Sequence, residues 1–216
     1  MRALSHFLSW IFLPLLMPLY GVLLTLYIPS QPETLAKWSM YSIPDELKTS
    51  ILYIFFVFGA LLPAISFFEL FRRKFIGTID MENRLERSLP LIIMLIFCLL
   101  LFGIFIFKAP NNLLPKYCYA LPLSGAIVMS SFLFINRFIK ISLHAGGAGI
   151  LVGYLLAFFS EQIEFELWIL LASVVVSGLT IMARLYLNKH LPIEVYTGWT
   201  LAMLITFLTN FWYPIA

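Results

Sequence analysis

The stretch LPLIIMLIFCLLLFGIFIFK, residues 89 to 108, decides the fold class of this chain. Only its last residue is charged, and about 20 apolar residues are what a helix needs to cross a bilayer. Lipid offers no partner to unpaired backbone groups, and the run lacks the alternation of a membrane β-strand, so the expected form is a helix. Six further runs of this kind cover residues 7 to 28, 49 to 71, 117 to 138, 143 to 159, 166 to 186 and 195 to 214.

The composition of the whole chain agrees with a membrane location. Of its 216 residues, 62% are hydrophobic and only 12% are charged, against about a quarter charged in soluble proteins. We expect an all-α, polytopic membrane helix bundle that forms a single domain over residues 1–216, with about seven transmembrane helices. Six are possible if the first run is a cleaved signal peptide, but that run is long, contains Pro14 and Pro18, and precedes no clear cleavage site.

Charge and cysteine content narrow the class of partner. The net charge of +3 is too small, without a basic and aromatic repeat, to indicate nucleic acid. Cys98 and Cys118 lie in separate runs and predict neither a disulfide nor a metal pair. We expect no metal, no cofactor, and a multi-pass location in the cytoplasmic (inner) membrane of a bacterium. The oligomeric state is left open.

Three polar segments, at about 81–90, 140–144 and 183–199, stand at the ends of apolar runs. Threading seven spans back and forth places all three on one membrane face, and such convergence of distant segments is what a site requires. The positive-inside rule offers an alternative, because ten Lys and Arg residues fall on that face and four on the other. That rule explains the cations but no histidine, and the orientation of the site is undecided.

His190 and Glu194 form the most specific pair. Pro192 favours an extended Leu191 and fits the first turn of a helix, so the last helix is predicted to begin near residue 191. His190 then lies at a helix N-terminus, where anions bind, and Glu194 can hold one ring nitrogen while the other attacks phosphorus. Arg184 adds a guanidinium fork for phosphate oxygens. Taken singly, Glu194 also suits the helix dipole, and Arg184 suits lipid headgroups.

The other two segments supply complementary groups. Ser142 can donate to a phosphoryl oxygen, Lys140 supplies charge, and His144 can protonate a leaving alkoxide near neutral pH. Arg84 and Arg87 are three residues apart and therefore share a helical face. Together they can clamp a dianion, or they pair with neighbouring glutamates and with headgroups.

These residues resemble the signatures of the type 2 phosphatidic acid phosphatase superfamily. Its third signature, S-R-x5-H-x3-D, is similar to A-R-x5-H-x3-E from Ala183 to Glu194, and its second, P-S-G-H, is similar to I-S-L-H from Ile141 to His144. Its first, K-x6-R-P, shares only arginines and a proline with NRLERSLP at residues 83–90. Ala183 and Glu194 stand where the family has Ser and Asp. The three segments follow the family's order.

The resemblance implies a membrane lipid-phosphate phosphatase that forms a phosphohistidine intermediate and needs no cofactor. His190 would be the nucleophile, Glu194 its orienting group and His144 the general acid. The substrate would be a phosphatidate, a phosphatidylglycerophosphate or a polyprenyl diphosphate. A transferase or a non-catalytic member of the fold is an alternative, as is a transporter or headgroup-binding scaffold, although charges at span ends argue against a transporter. The implied phosphate cradle consists of Arg84, Arg87, Lys140, Ser142 and Arg184.

Overall fold

The described part of the chain is almost entirely helical. The structure, a computed structural model, describes residues 2–33, 39–78, 81, 83–109 and 113–214. Within them the only sheet is a short antiparallel pair, β1 (Gln31–Pro32) with β2 (Gln162–Glu164). The same residues contain eight helices: α1 (Arg2–Ile11), α2 (Met17–Tyr27), α3 (Asp45–Arg72), α4 (Arg84–Lys108), α5 (Tyr117–Ile135), α6 (Leu143–Phe159), α7 (Leu167–Tyr186) and α8 (Pro192–Trp212).

The first apolar run, residues 7 to 28, is not one helix. α1 ends at Ile11, and α2 begins at Met17 with Pro18 in its first turn. Pro14 lies in the break, where its missing N–H and its ring would disturb a continuing helix. The prediction of one continuous helix over this run is therefore wrong. The described residues contain eight helices, four of them long and apolar enough to cross a membrane, where about seven transmembrane helices were expected.

α3, in contrast, continues through Pro63. The preceding residues, Val57–Leu61, form a π-helical turn, in which the Leu62 amide donates to the Val57 carbonyl five residues earlier. This wider turn shifts the carbonyls that the proline ring would otherwise meet. The result is one long helix with a local irregularity near its middle.

Four of the described helices, α3, α4, α5 and α7, are long and apolar enough to cross a membrane. α4 has a mean hydropathy of 3.1 over its most apolar window, yet only 22% of that window is buried inside the molecule. An outward surface of that kind suits hydrocarbon better than water. The four helices suggest an integral membrane protein, whereas α2 and α6, at 11 and 17 residues, are shorter than a full span.

α6 lies at the centre of the bundle and is buried along nearly its whole length. α8 packs directly on it, because Gly149 and Gly153 bring α6 against the backbone carbonyls of Trp199 and Met203. A Cβ atom at either glycine would overlap the carbonyl oxygen it faces. Small residues that allow close backbone approach are typical of helix contacts in membrane bundles. Gly149 and Gly153 therefore have a packing role.

A buried ion pair joins three helices at the end of the bundle where α5 begins. Lys116 Nζ lies 2.8 Å from Glu161 Oε1 and donates to the Phe211 carbonyl at 2.9 Å. The Tyr117 hydroxyl hydrogen-bonds to the other oxygen of Glu161. These contacts hold the start of α5, the end of α6 and the end of α8 together. The three polar segments lie at the other end of these helices.

Candidate functional site

The three polar segments meet at one end of the bundle, and His190 lies at their centre. Its side chain is only 2% exposed. Nδ1 lies 2.8 Å from Oε2 of Glu194, and Nε2 lies 3.4 Å from Nη2 of Arg87. One imidazole thus contacts its own segment and a segment that lies 103 residues earlier.

The local sequence explains why His190 and Glu194 meet. Leu191 is extended, with φ −80° and ψ 155°, and Pro192 opens α8. The helix begins one residue from its predicted start, so Glu194 lies in the first turn and points back along the chain. Its Oε2 accepts from the Leu191 amide at 3.1 Å and also contacts His190. One carboxylate therefore caps the helix and orients the imidazole.

Arg87 ties the three segments together. It ends the 3-10 turn Arg84–Arg87, which opens α4, and it is 2% exposed. Its Nε donates to the Met81 carbonyl at 3.0 Å, its Nη1 donates to the Ile141 carbonyl, and its Nη2 faces His190. Residue 82 of the first segment lies outside the described part of the chain.

Three more side chains act on His190 through their charge. Arg184, in the last turn of α7, is 3% exposed, while Lys140 and His144 are half-buried. Burial, followed by the charges of Arg87, Arg184, Lys140 and His144, lowers the pKa of His190 to about 2. We call the following residues the polar cluster: Arg87, Lys140, His144, Arg184, His190 and Glu194.

The imidazole of His190 is therefore neutral near pH 7. A carboxylate favours a charged ring, so Glu194 on its own would raise the pKa of His190. Burial and the surrounding cations outweigh that effect. A neutral ring beside a carboxylate carries its proton on Nδ1, so it donates to Glu194 and keeps a lone pair on Nε2, directed at Arg87. This lone pair accepts a hydrogen bond from Arg87 Nη2, so it could attack an electrophile only once the guanidinium moves away.

Two of the predicted phosphate-binding residues make contacts that hold the backbone. Ser142 is fully buried and caps α6, because its Oγ accepts from the Ala145 amide at 3.4 Å. Arg84 donates from Nη1 to the Phe138 carbonyl at 2.8 Å. Among the described contacts, neither side chain reaches His190. A role for either one at a phosphate stays a prediction.

The groups that hold the 84–87 turn in place were not among the site residues predicted from the sequence. Asn136, buried at the end of α5, donates from Nδ2 to the Arg84 carbonyl at 3.0 Å. The carbonyls of Met81 and Ile141 hold Arg87. A carbonyl has no sequence signature, because every residue carries one. Asn136 did have a signal, since it is a polar side chain at the end of an apolar run.

The polar cluster combines the groups needed to bind and attack an anion. Cationic side chains surround the neutral imidazole of His190, and the half-buried His144 is close enough to lower the pKa of that imidazole. Within the described ranges, no three His, Cys, Asp or Glu side chains are grouped so that they could hold a metal ion. The cations of the polar cluster can hold an anion beside the imidazole of His190.

Comparison with known proteins gives this geometry no relative. No family model matches the chain, and neither the curated proteins nor the solved structures give a match. The resemblance to the phosphatase superfamily therefore depends on the residues of the three segments and on their spacing. Any function must be argued from the polar cluster itself.

Proposed function

We propose that this protein is a membrane phosphatase that removes phosphate from a lipid through a phosphohistidine intermediate. The observation that carries the proposal is the surroundings of His190, whose Nδ1 contacts Glu194 and whose Nε2 faces Arg87. A phosphate group that displaces the Arg87 guanidinium from its 3.4 Å contact with Nε2 would be held by Arg87, Arg184 and Lys140. Its phosphorus would then face the attacking nitrogen.

The reaction proceeds in two steps that restore the enzyme. The Nε2 lone pair of His190 attacks phosphorus, the bond from phosphorus to the lipid oxygen breaks, and protonated His144 gives its proton to the leaving alkoxide. Neutral His144 then takes a proton from water, the water oxygen attacks phosphorus, and the electron pair of the phosphorus–nitrogen bond returns to Nε2. Glu194 stabilises the positive charge that the ring carries in between.

The structure indicates how the two residues that differ from the family pattern, Glu194 and Ala183, would affect the site. The longer glutamate arm is accommodated, because Oε2 of Glu194 reaches Nδ1 at 2.8 Å and the Leu191 amide as well. Ala183 is fully buried beside Arg184 and offers no hydroxyl, so the cradle depends more heavily on cations. The proposal therefore keeps the nucleophile and its orienting group while it omits one phosphate donor.

The placement of the bundle in a bilayer is part of the proposal. It is supported by the four long apolar helices. The polar cluster would then lie at one membrane surface, where water and a lipid headgroup can both reach it. The cytoplasmic membrane of a bacterium stays a prediction.

Phosphate release by the purified chain tests the proposal. The protein in detergent is given phosphatidate, phosphatidylglycerophosphate or a polyprenyl diphosphate without added metal, and inorganic phosphate is measured. His190→Ala should lower release by roughly a hundredfold or more, the usual effect of losing a nucleophile or proton-transfer group. His6→Ala is the matched control, because His6 is an exposed histidine of α1. Release that survives His190→Ala would overturn the proposal.

Trapping the intermediate separates the two histidine roles. Rapid quenching should show an acid-labile phosphoenzyme in the wild-type chain and none in His190→Ala. The phosphoenzyme should still form in His144→Ala, which lacks the group that activates water. Its appearance in His190→Ala would show that another residue is the nucleophile.

A headgroup-binding protein without catalysis is the second candidate. It is favoured by the Arg87 guanidinium at 3.4 Å from Nε2, which engages the lone pair that would have to attack. That candidate predicts that lipid phosphates bind to the purified chain, that Arg184→Ala weakens this binding, and that no phosphate is released. Release from any of the three lipids excludes it.

A further inference from the structure

An apolar cavity lies between the break after α1 and helices α2 to α6. The cavity is partly open to the surroundings, and its lining comes from the break and from all five helices. Its lining residues include no charged side chain, and its polarity is limited to groups such as the Cys98 thiol. A buried water needs two to four polar partners, so a cavity of this kind suits hydrocarbon.

The cavity begins next to the polar cluster. On α4 its first lining residue is Pro90, three positions after Arg87, and on α6 it is Leu143, the residue immediately before His144. Three residues of helix correspond to about one turn. A group bound at the cluster would therefore have the nearest lining residues of the apolar cavity within about one helical turn along α4.

The depth of the cavity matches one leaflet of a bilayer. Along α4 it is lined by Pro90, Met94, Phe97, Cys98 and Leu101, which recur on one helical face. Pro90 to Leu101 corresponds to about 16 Å at 1.5 Å per residue. The hydrocarbon core of a bilayer is about 30 Å thick, so the cavity spans roughly half of it.

The cavity is shaped by irregularities in the part of the chain that precedes the polar segments. Pro14 and Pro18, at the break between α1 and α2, line one side, and Gly59, inside the π-helical turn of α3, lines another. A Cβ at Gly147 would lie 2.7 Å from Cα of Pro14, so the break packs tightly on α6. A Cβ at Gly59 would meet no atom within 4 Å. Two backbone departures, the break and the π-helical turn, thus border the same empty space.

We propose that this cavity binds one hydrocarbon chain of the lipid whose phosphate occupies the polar cluster, and that it makes the protein selective for phosphates on long chains. The inference rests on the proposed function at His190. In a membrane or a detergent micelle the hydrocarbon chain moves from one apolar surrounding to another, so the hydrophobic effect contributes little to its binding. Selectivity would come from the fit of the hydrocarbon to the cavity and from the position that the bound hydrocarbon imposes on the phosphate.

Filling the cavity from Gly59 tests the selectivity. We expect Gly59→Leu to lower the ratio of kcat/KM for a long-chain phosphatidate to that for a six-carbon-chain phosphatidate by roughly tenfold, within the range that pocket contacts supply. Gly178→Leu is the matched control, because a Cβ at Gly178 also meets nothing within 4 Å and Gly178 does not line the cavity. An unchanged ratio in Gly59→Leu, with thermal unfolding like that of the control, would overturn the inference.

Cross-linking provides a measurement that needs no turnover. A long-chain phosphatidate with a mid-chain diazirine is bound to the His190→Ala chain and irradiated, and the labelled residues are mapped by mass spectrometry. Label should fall on the cavity face of α4, at Met94 and Cys98, and unlabelled phosphatidate should compete better than the diacylglycerol of equal chain length. Ile96 and Leu100 lie on the outer face of α4 and are both 49% exposed, so label there would refute binding of the hydrocarbon chain in the cavity. Equal competition by the diacylglycerol would show that this binding does not depend on the phosphate. If the wild-type protein releases no phosphate while Met94 is labelled, the proposed reaction is wrong and the binding site for the hydrocarbon chain is confirmed.

Discussion

The close packing of α6 on α8 makes Gly153→Ala a direct test of the fold. A Cβ atom at residue 153 would overlap the backbone carbonyl of Met203. A carbonyl inside a helix cannot rotate aside as a side chain can, so α8 must move away from α6. Gly178 in α7 is the matched control, because a Cβ there meets no atom within 4 Å.

Two effects of opposite sign determine how much Gly153→Ala changes the free energy of unfolding. Inside a helix, alanine is more favourable than glycine by about 1 kcal/mol at either position. Overpacking a close contact costs about 1–3 kcal/mol, and a rigid backbone oxygen places Gly153 at the upper end of that range. We therefore expect Gly153→Ala to lower the free energy of unfolding by about 2 kcal/mol and Gly178→Ala to raise it by up to about 1 kcal/mol.

Thermal unfolding in one detergent at one scan rate measures the difference. For a chain of this length, 1 kcal/mol corresponds to about 2–4 °C in Tm, so Gly153→Ala should melt about 4–8 °C below the wild-type chain. Gly178→Ala should melt slightly above it. The scan rate is held constant because irreversible unfolding makes the apparent Tm depend on it. A Gly153→Ala chain that melts with the wild type would refute the close approach of the two helices.

Two further predictions concern His190 and Glu194. The pKa of His190 is lowered from 6.5 to about 2 by folding, so the unfolded chain binds more protons between these values and stability falls as pH drops below about 6.5. Going from pH 7 to pH 5 should cost about 2 kcal/mol, and thermal unfolding of His190→Gln at both pH values should show a smaller loss. Glu194→Asp introduces the residue that is usual in the phosphatase family, and it should lower phosphate release by roughly tenfold. The reason is that the loss of one methylene withdraws the carboxylate by about 1.5 Å from its 2.8 Å contact with His190. Release at or above the wild-type rate would contradict that reasoning.

Most helices could be predicted from the sequence because apolarity is a local property. The runs 89 to 108 and 166 to 186 correspond to α4 and α7 within a few residues. The break in the first run could not be predicted in this way, because the chain is equally hydrophobic on both sides of Pro14. Whether a proline ends a membrane helix depends on neighbours that re-satisfy the backbone, as the continuous α3 at Pro63 illustrates.

The arrangement inside the candidate site was less accessible to the sequence. Threading the spans brings the three segments to one end, because each pair of crossings returns the chain to the same face. Spacing alone could not distinguish Arg84 from Arg87, which share a face. Arg84 donates to the Phe138 carbonyl, while Arg87 reaches the Ile141 carbonyl and His190. The distinction depends on backbone acceptors, which every residue provides.

The exposure of the cations separates the two explanations for their clustering. Cations placed by the positive-inside rule face water and headgroups, as Arg72 and Arg73 do, whose side chains are 65% and 64% exposed and share Glu69. Arg87 and Arg184 are instead 2% and 3% exposed. The positive-inside rule places cations in water, so it does not account for two arginines that are withdrawn from water in this way. Both act on the same imidazole, which sets them apart from Arg72 and Arg73.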